Sequence, residues 1–182
     1  MALPKLADAQ VEWIVQRVGA YIEHQRETYR PDAVPLGLSQ RNAMRPFFPE
    51  PALGSTRLVV LTGMQVSNPP FYGGLVQMGF SPTDLPDFER MAAITFVDTI
   101  VSHEPFTDRL LFHELVHVVQ YEKLRLPEFA SKYVKGFLSG GSYEAIPLEM
   151  NAYELDTRFA AAPTTPFSAD GEVQSWIDTC RF

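Results

Sequence analysis

Residues 110–121 read LLFHELVHVVQY, two of the chain's four histidines and a glutamate inside a run that is otherwise almost wholly apolar. Leu110, Leu111, Leu115, Val118 and Val119 recur at helical spacing, so this is a helix that belongs inside a core. Two imidazoles and a carboxylate buried there without partners would cost several kcal/mol (on the order of 2–7 per polar group). Whatever this chain folds into must bring something to that helix that satisfies them.

His113 and His117 are four residues apart and therefore sit one turn from each other on one helix face. Two imidazoles so placed can share one tetrahedral zinc ion, at about 2.0–2.1 Å per bond. Glu114 is offset from His113 by about a third of a turn. It can reach a water on such an ion without being a ligand. A zinc ion draws the pKa of that water toward about 7 and the carboxylate takes the proton, which is what metal-assisted hydrolysis needs.

The rest of the chain narrows the setting. Its 182 residues suit a single domain: an N-terminal helix and proline-rich connector over 1–55, a core over 56–162 and a C-terminal tail over 163–182. With 46% hydrophobic residues a sizeable core can form. The net charge of −7, with no long cluster of Lys and Arg, argues against a nucleic-acid partner. The one cysteine, Cys180, can form no disulfide within the chain and rules out a Cys-rich zinc site. No apolar run approaches the roughly 18 residues of a membrane span. The opening MALPKLADAQVEWIVQRV shows no long apolar stretch behind a basic start, which gives the expectation of a cytoplasmic protein.

Periodicity predicts an amphipathic helix over 8–30, capped by Asp8 and stopped by Pro31. A proline-rich connector follows, with a short helix near Ser39–Met44 and with Phe47 and Phe48 docking on the core. Residues 56–66 read as a strand and 67–86 as a long loop expected to overhang the cleft. Residues 92–102 read as a second strand, or as a hairpin turning at Val97-Asp98. The motif helix should run from about Thr107 to Leu124, capped by Thr107 or Asp108. Further helices are expected over 127–138, from Pro147 onward, and over 173–178.

HELVHVVQY after a β-rich segment resembles the zinc metallopeptidases of the zincin superfamily, and in particular small bacterial proteins carrying HEL-x-H-x-x-Q. The resemblance covers about 92–160. It implies an α+β zincin-like domain, a small twisted sheet with an active-site helix and a later helix carrying an acidic ligand. It also implies His113 and His117 as zinc ligands and Glu114 as general base. The metzincin extension does not fit, because the positions three and six after His117 are Gln120 and Lys123. In the gluzincin-like branch the third ligand is a glutamate from a later helix, and Glu144, Glu149 and Glu154 are the candidates. Glu149 is preferred: it falls in the first turn after Pro147, and Glu149 with Ala152 matches the branch's Glu-x-x-Ala pattern. Glu144 is the runner-up. Related peptidases carry an aspartate one turn after the glutamate; here Tyr153 stands there, and Asp156 is the substitute from the next turn.

A transition-state oxyanion needs a donor besides the metal. Tyr153, Tyr143, Tyr133 and His103 are candidates, with Tyr153 preferred. The expected activity is zinc-dependent endopeptidase cleavage of a peptide or protein, with the 92–102 strand offering an open edge to an extended substrate. The competing expectations are a zinc-bearing interaction domain without catalysis, an interaction domain without metal in which the motif is an accident, and a metallohydrolase of a non-peptide substrate.

Overall fold

A computed structural model describes residues 3–182, in which seven α-helices surround a small mixed sheet of four strands. In chain order these are α1 (Asp8–Tyr29), β1 (Val34–Pro35), α2 (Leu38–Met44), α3 (Glu50–Ser55), β2 (Arg57–Val60) and α4 (Tyr72–Gln77). They continue with β3 (Ala93–Phe96), β4 (Thr99–Ser102), α5 (Asp108–Gly140), α6 (Pro147–Ala161) and α7 (Ala169–Asp178). Among the described residues no helix is long and apolar enough to cross a membrane.

The sheet order is β1-β2-β4-β3. β2 runs parallel to β4, and the outer pairs are antiparallel. β3 and β4 form the hairpin that turns at Val97-Asp98, with Val97 at φ 62°. Asp98 is clamped there by Arg26 at 2.7 and 2.8 Å and by Arg30 at 2.9 Å, which ties α1 to the sheet. The strand expected over 56–66 is only four residues long, because Gly63 at φ 71° turns the chain away. β3 is one of the two edge strands, with no strand paired on its outer side, and all four of its residues are buried, packed against α1 and α5. Met91–Ala93 at its start line a cleft.

α5 is the central helix. Leu111, Phe112, Leu115, Val116 and Val119 are fully buried on it. Phe112 stacks on Phe159 at 4.5 Å and meets Phe47 and Phe48 edge-on, so the connector phenylalanines do dock on the core. Thr107 caps α5 by accepting the Leu110 N–H at 3.1 Å. Arg125, at φ 63° and ψ 158°, breaks the helix two residues before Pro127. The two helices expected at 107–124 and 127–138 are the two halves on either side of that break.

Gly141, at φ 77°, ends α5. The chain then folds back tightly into α6. A Cβ on Gly136 would lie 2.6 Å from Pro147 Cδ, and one on Gly140 2.6 Å from Ala145 Cβ. These two glycines let the turn seat against α5. Ala152, fully buried, lies on α6 where it packs with α5.

Elsewhere the sequence reading needs correction. Asp8 is not the α1 cap: Ala7 holds that place, its N–H bonded to the Gln10 side chain at 2.8 Å, and Asp8 lies in the first turn, where a negative charge suits the helix dipole. The 67–86 loop contains α4, a helix its paired glycines disguise. The C-terminal segment is more than a tail, since α7 buries Val173 and Trp176 and packs on α5 and α6.

Candidate metal centre

His113, His117 and Glu149 converge between α5 and α6, each at most 7% exposed. The two Nε2 atoms are 3.2 Å apart. Glu149 Oε2 lies 3.5 Å from His113 Nε2 and 3.4 Å from His117 Nε2. Glu149 arrives there because Pro147 starts α6 and puts residue 149 in the first turn, facing α5.

The groups behind the imidazoles determine where their protons are. His113 Nδ1 is 2.9 Å from Asp156 Oδ2, and the carboxylate can only accept, so Nδ1 carries the hydrogen. Asp156 is in turn gripped by Arg109, at 3.1 and 2.7 Å. His117 Nδ1 is 2.9 Å from Gln120 Oε1. The Gln120 amide is oriented by its nitrogen, which donates to Leu148 O at 2.9 Å and to Asn151 Oδ1 at 3.0 Å. Its oxygen therefore faces His117, and that Nδ1 also carries the hydrogen.

With neutral imidazoles both Nε2 atoms present lone pairs to one point, together with a Glu149 Oε2 that has no hydrogen-bond partner. Such a cluster needs positive charge among its three atoms, either a proton on an imidazole or a metal cation. A tetrahedral ion with bonds near 2.1 Å has donor–donor edges of about 3.3–3.5 Å. The observed triangle of 3.2, 3.4 and 3.5 Å fits it, so the buried group could hold a metal ion.

The electrostatics agree. Burial works against charge on His113, but the hydrogen bonds to Asp156 and Glu149 and the nearby carboxylates outweigh it and raise its pKa to about 10. His117 is raised for similar reasons, burial again opposing and Glu149 prevailing. Burial would raise Glu149, but the two imidazoles pull its pKa well below the usual carboxylate range. This point in the protein favours positive charge.

Glu114 lies beside the triad without joining it. Thr95 on β3 donates its hydroxyl to Glu114 Oε2 at 2.7 Å. The carboxylate lines both the polar cleft and an apolar cavity behind it. Tyr153, 42% exposed, tilts its ring over His113 at 4.6 Å and lines the cleft. Burial, then Glu149 and Asp156, push its pKa up to about 12, so it keeps its proton. Tyr143 lines both cleft and cavity, with its pKa raised well above 10 by burial and Glu149. Tyr133 reaches only the cavity.

Three expected candidates fall away from the triad. Glu144 is exposed. Glu154 is exposed and pairs with Arg181 at 3.6 Å. His103 is a clip between loops: Nε2 accepts the Val66 N–H at 2.9 Å and Nδ1 meets Met91 O at 2.5 Å. Two supporting residues escaped the sequence reading of roles. Gln120 stood in the motif, one helical turn after His117, and that spacing was a usable signal. Thr95 gave none.

Comparison with known proteins by family model, by curated sequence and by solved structure finds no match. The site therefore stands on its own geometry.

Proposed function

We propose that this chain is a zinc-dependent hydrolase of peptide bonds with a zincin-like centre, His113, His117 and Glu149 holding the ion and Glu114 acting as general base. The observation that carries the proposal is the convergence of three buried donor atoms within 3.5 Å of one another, the Glu149 oxygen without a hydrogen-bond partner, beside Glu114 as a further carboxylate outside the triad. Two imidazole nitrogens and one carboxylate oxygen are a donor set that suits zinc. Three protein donors leave a position of a four-coordinate ion free for a water or a substrate atom, whereas structural sites are closed by four. This favours catalysis over a bracing role.

When bound, the ion would act as a Lewis acid toward a carbonyl and acidify a water. The chain's own residues do the rest. Glu114 accepts a proton at its carboxylate and returns it to the leaving amine, while Thr95 keeps that carboxylate aimed. Asp156 and Gln120 hold the Nδ1 protons in place so that both Nε2 atoms stay available. Tyr153 and Tyr143, both protonated, are the hydroxyls on the cleft wall that can donate to a developing oxyanion.

Elemental analysis beside a broad peptide-library assay tests this. Wild type should carry about one zinc per chain, and His113→Ala and Glu149→Ala close to none. Glu114→Gln should keep its zinc and lose at least about 10²-fold in hydrolysis. Undiminished cleavage by Glu114→Gln, or zinc retained at wild-type affinity by Glu149→Ala, overturns the assignment.

A further inference from the structure

Behind Glu114, on the side away from the polar cleft, lies a cavity of about 100 Å³. Its walls come from α1, from residues 69–91 and from α5 beyond the Arg125 break, and Glu114, His117 and Glu149 line it as well. The cleft and the cavity share Met91, Ala93, Glu114 and Tyr143, so the two spaces meet at the metal centre.

Little of the wall is polar: of the five tyrosines that line it, three spend their hydroxyls on backbone carbonyls, and Tyr133 and Tyr143 keep theirs. Tyr21 donates its hydroxyl to Ser67 O at 2.8 Å, Tyr72 to Pro86 O at 2.7 Å and Tyr121 to Thr95 O at 3.4 Å. Apart from tyrosines, the only ionisable side chains lining it are Glu114, His117 and Glu149, all members of the centre itself. What remains is carbon, from residues such as Ile14, Leu75, Phe88, Phe129 and Val134. Apolar space left unfilled in a packed interior is destabilising, and it gains from carbon placed in it. A charged group would be stripped of water there and find no counter-charge that is not already engaged.

We propose that this cavity receives an uncharged apolar group of the substrate, a phenyl ring or a branched alkyl chain, while the polar remainder lies in the cleft. The inference rests on the proposed metal-dependent hydrolase and names the class of substrate it selects: one with a bulky apolar side chain beside the scissile bond. At about 100 Å³ the cavity is smaller than the apolar cavity of about 150 Å³ that takes benzene, so a ring enters it only by extending into the opening shared with the cleft.

Binding rather than turnover tests it. Zinc-loaded protein is titrated with acetohydroxamate, with 3-phenylpropanohydroxamate and with a hydroxamate of similar length ending in a carboxylate. The phenyl compound should bind at least about tenfold tighter than acetohydroxamate, and the carboxylate compound no tighter. Val134→Phe and Leu138→Phe each fill the cavity from α5. Each should abolish the phenyl advantage and leave zinc content and acetohydroxamate affinity unchanged. Equal affinity of wild type for the phenyl and acetyl compounds overturns the proposal, as does a phenyl advantage that survives both substitutions. If the protein takes up no zinc, the hydrolase reading falls by itself, and toluene binding followed by NMR then decides the cavity. Binding that Val134→Phe removes supports it, and the absence of toluene binding overturns it.

Discussion

His113 and His117 aim the same nitrogen at the same point, yet the groups behind them have little in common. His113 leans on Asp156, a carboxylate gripped by Arg109, whose side chain is 57% exposed. His117 leans on Gln120, a neutral amide with no exposed surface, locked by Leu148 O and Asn151. One brace is an ionic chain that reaches solvent. The other is a buried polar network without charge. Both fix the same tautomer, so orientation does not require charge. The charged brace adds more negative potential at its imidazole than the neutral amide oxygen does.

The largest expected effect comes from removing each brace in turn. Asp156→Ala and Gln120→Ala should each weaken zinc binding by about 10–100-fold, read by competition with a chelator. They should differ in stability. Gln120→Ala leaves Asn151 Oδ1 buried without a donor and the His117 Nδ1–H without an acceptor, and should lower the unfolding free energy of the metal-free protein by about 1–3 kcal/mol. Asp156→Ala also removes a carboxylate that supports positive charge on His113, so the metal-free imidazole should titrate at lower pH by NMR. Equal effects on stability and titration would erase the distinction between the braces.

A smaller effect is expected at the outer end of the ionic chain. Arg109→Ala removes an ion pair with one exposed partner, which is worth no more than about 1 kcal/mol. Zinc affinity should fall by at most about fivefold, and less in high salt. A loss as large as that of Asp156→Ala would mean that the guanidinium, and not the carboxylate alone, holds His113.

The smallest effect sharpens the comparison with a carboxylate–guanidinium cluster outside the candidate metal centre, Asp98 with Arg26 and Arg30. Burial would raise the pKa of Asp98, but Arg26, Arg30 and Thr99 outweigh it and hold the pKa below the ordinary 3.8. A carboxylate depressed in the folded state contributes stability above its unfolded pKa and loses that contribution as pH falls. Chemical denaturation between pH 6 and pH 2 should show this contribution fading below about pH 3.8. Asp98→Asn should flatten that part of the profile and leave zinc affinity unchanged.

How much of this was legible beforehand follows from the range of each interaction. His113, His117 and Glu114 could be read because helical geometry alone relates them. Glu149 and Asp156 could be read only with the help of the gluzincin-like resemblance: a proline marks where their helix begins, and Asp156 falls two turns after Glu149. Thr95 could not, since its position against Glu114 depends on how a strand and a helix pack. β1 has two residues and α4 contains a Gly-Gly pair, and both are too weak as local signals. The cavity was equally hidden: the apolar stripe of α1 and the aromatics of 69–91 look the same in sequence whether they fill a core or surround a space.

The seating of Gly136 and Gly140 against the turn before α6 has a consequence for the order of assembly. Two donors lie within a single turn and exist wherever that short helix forms, but the third is delivered only when the hairpin of α5 and α6 has shut. A half-formed chain therefore offers an ion a loose, two-point hold, and full affinity arrives with closure. Under the proposed metal role, uptake of the ion becomes a reporter of tertiary completion, and a side chain at either glycine would delay that signal without touching any donor.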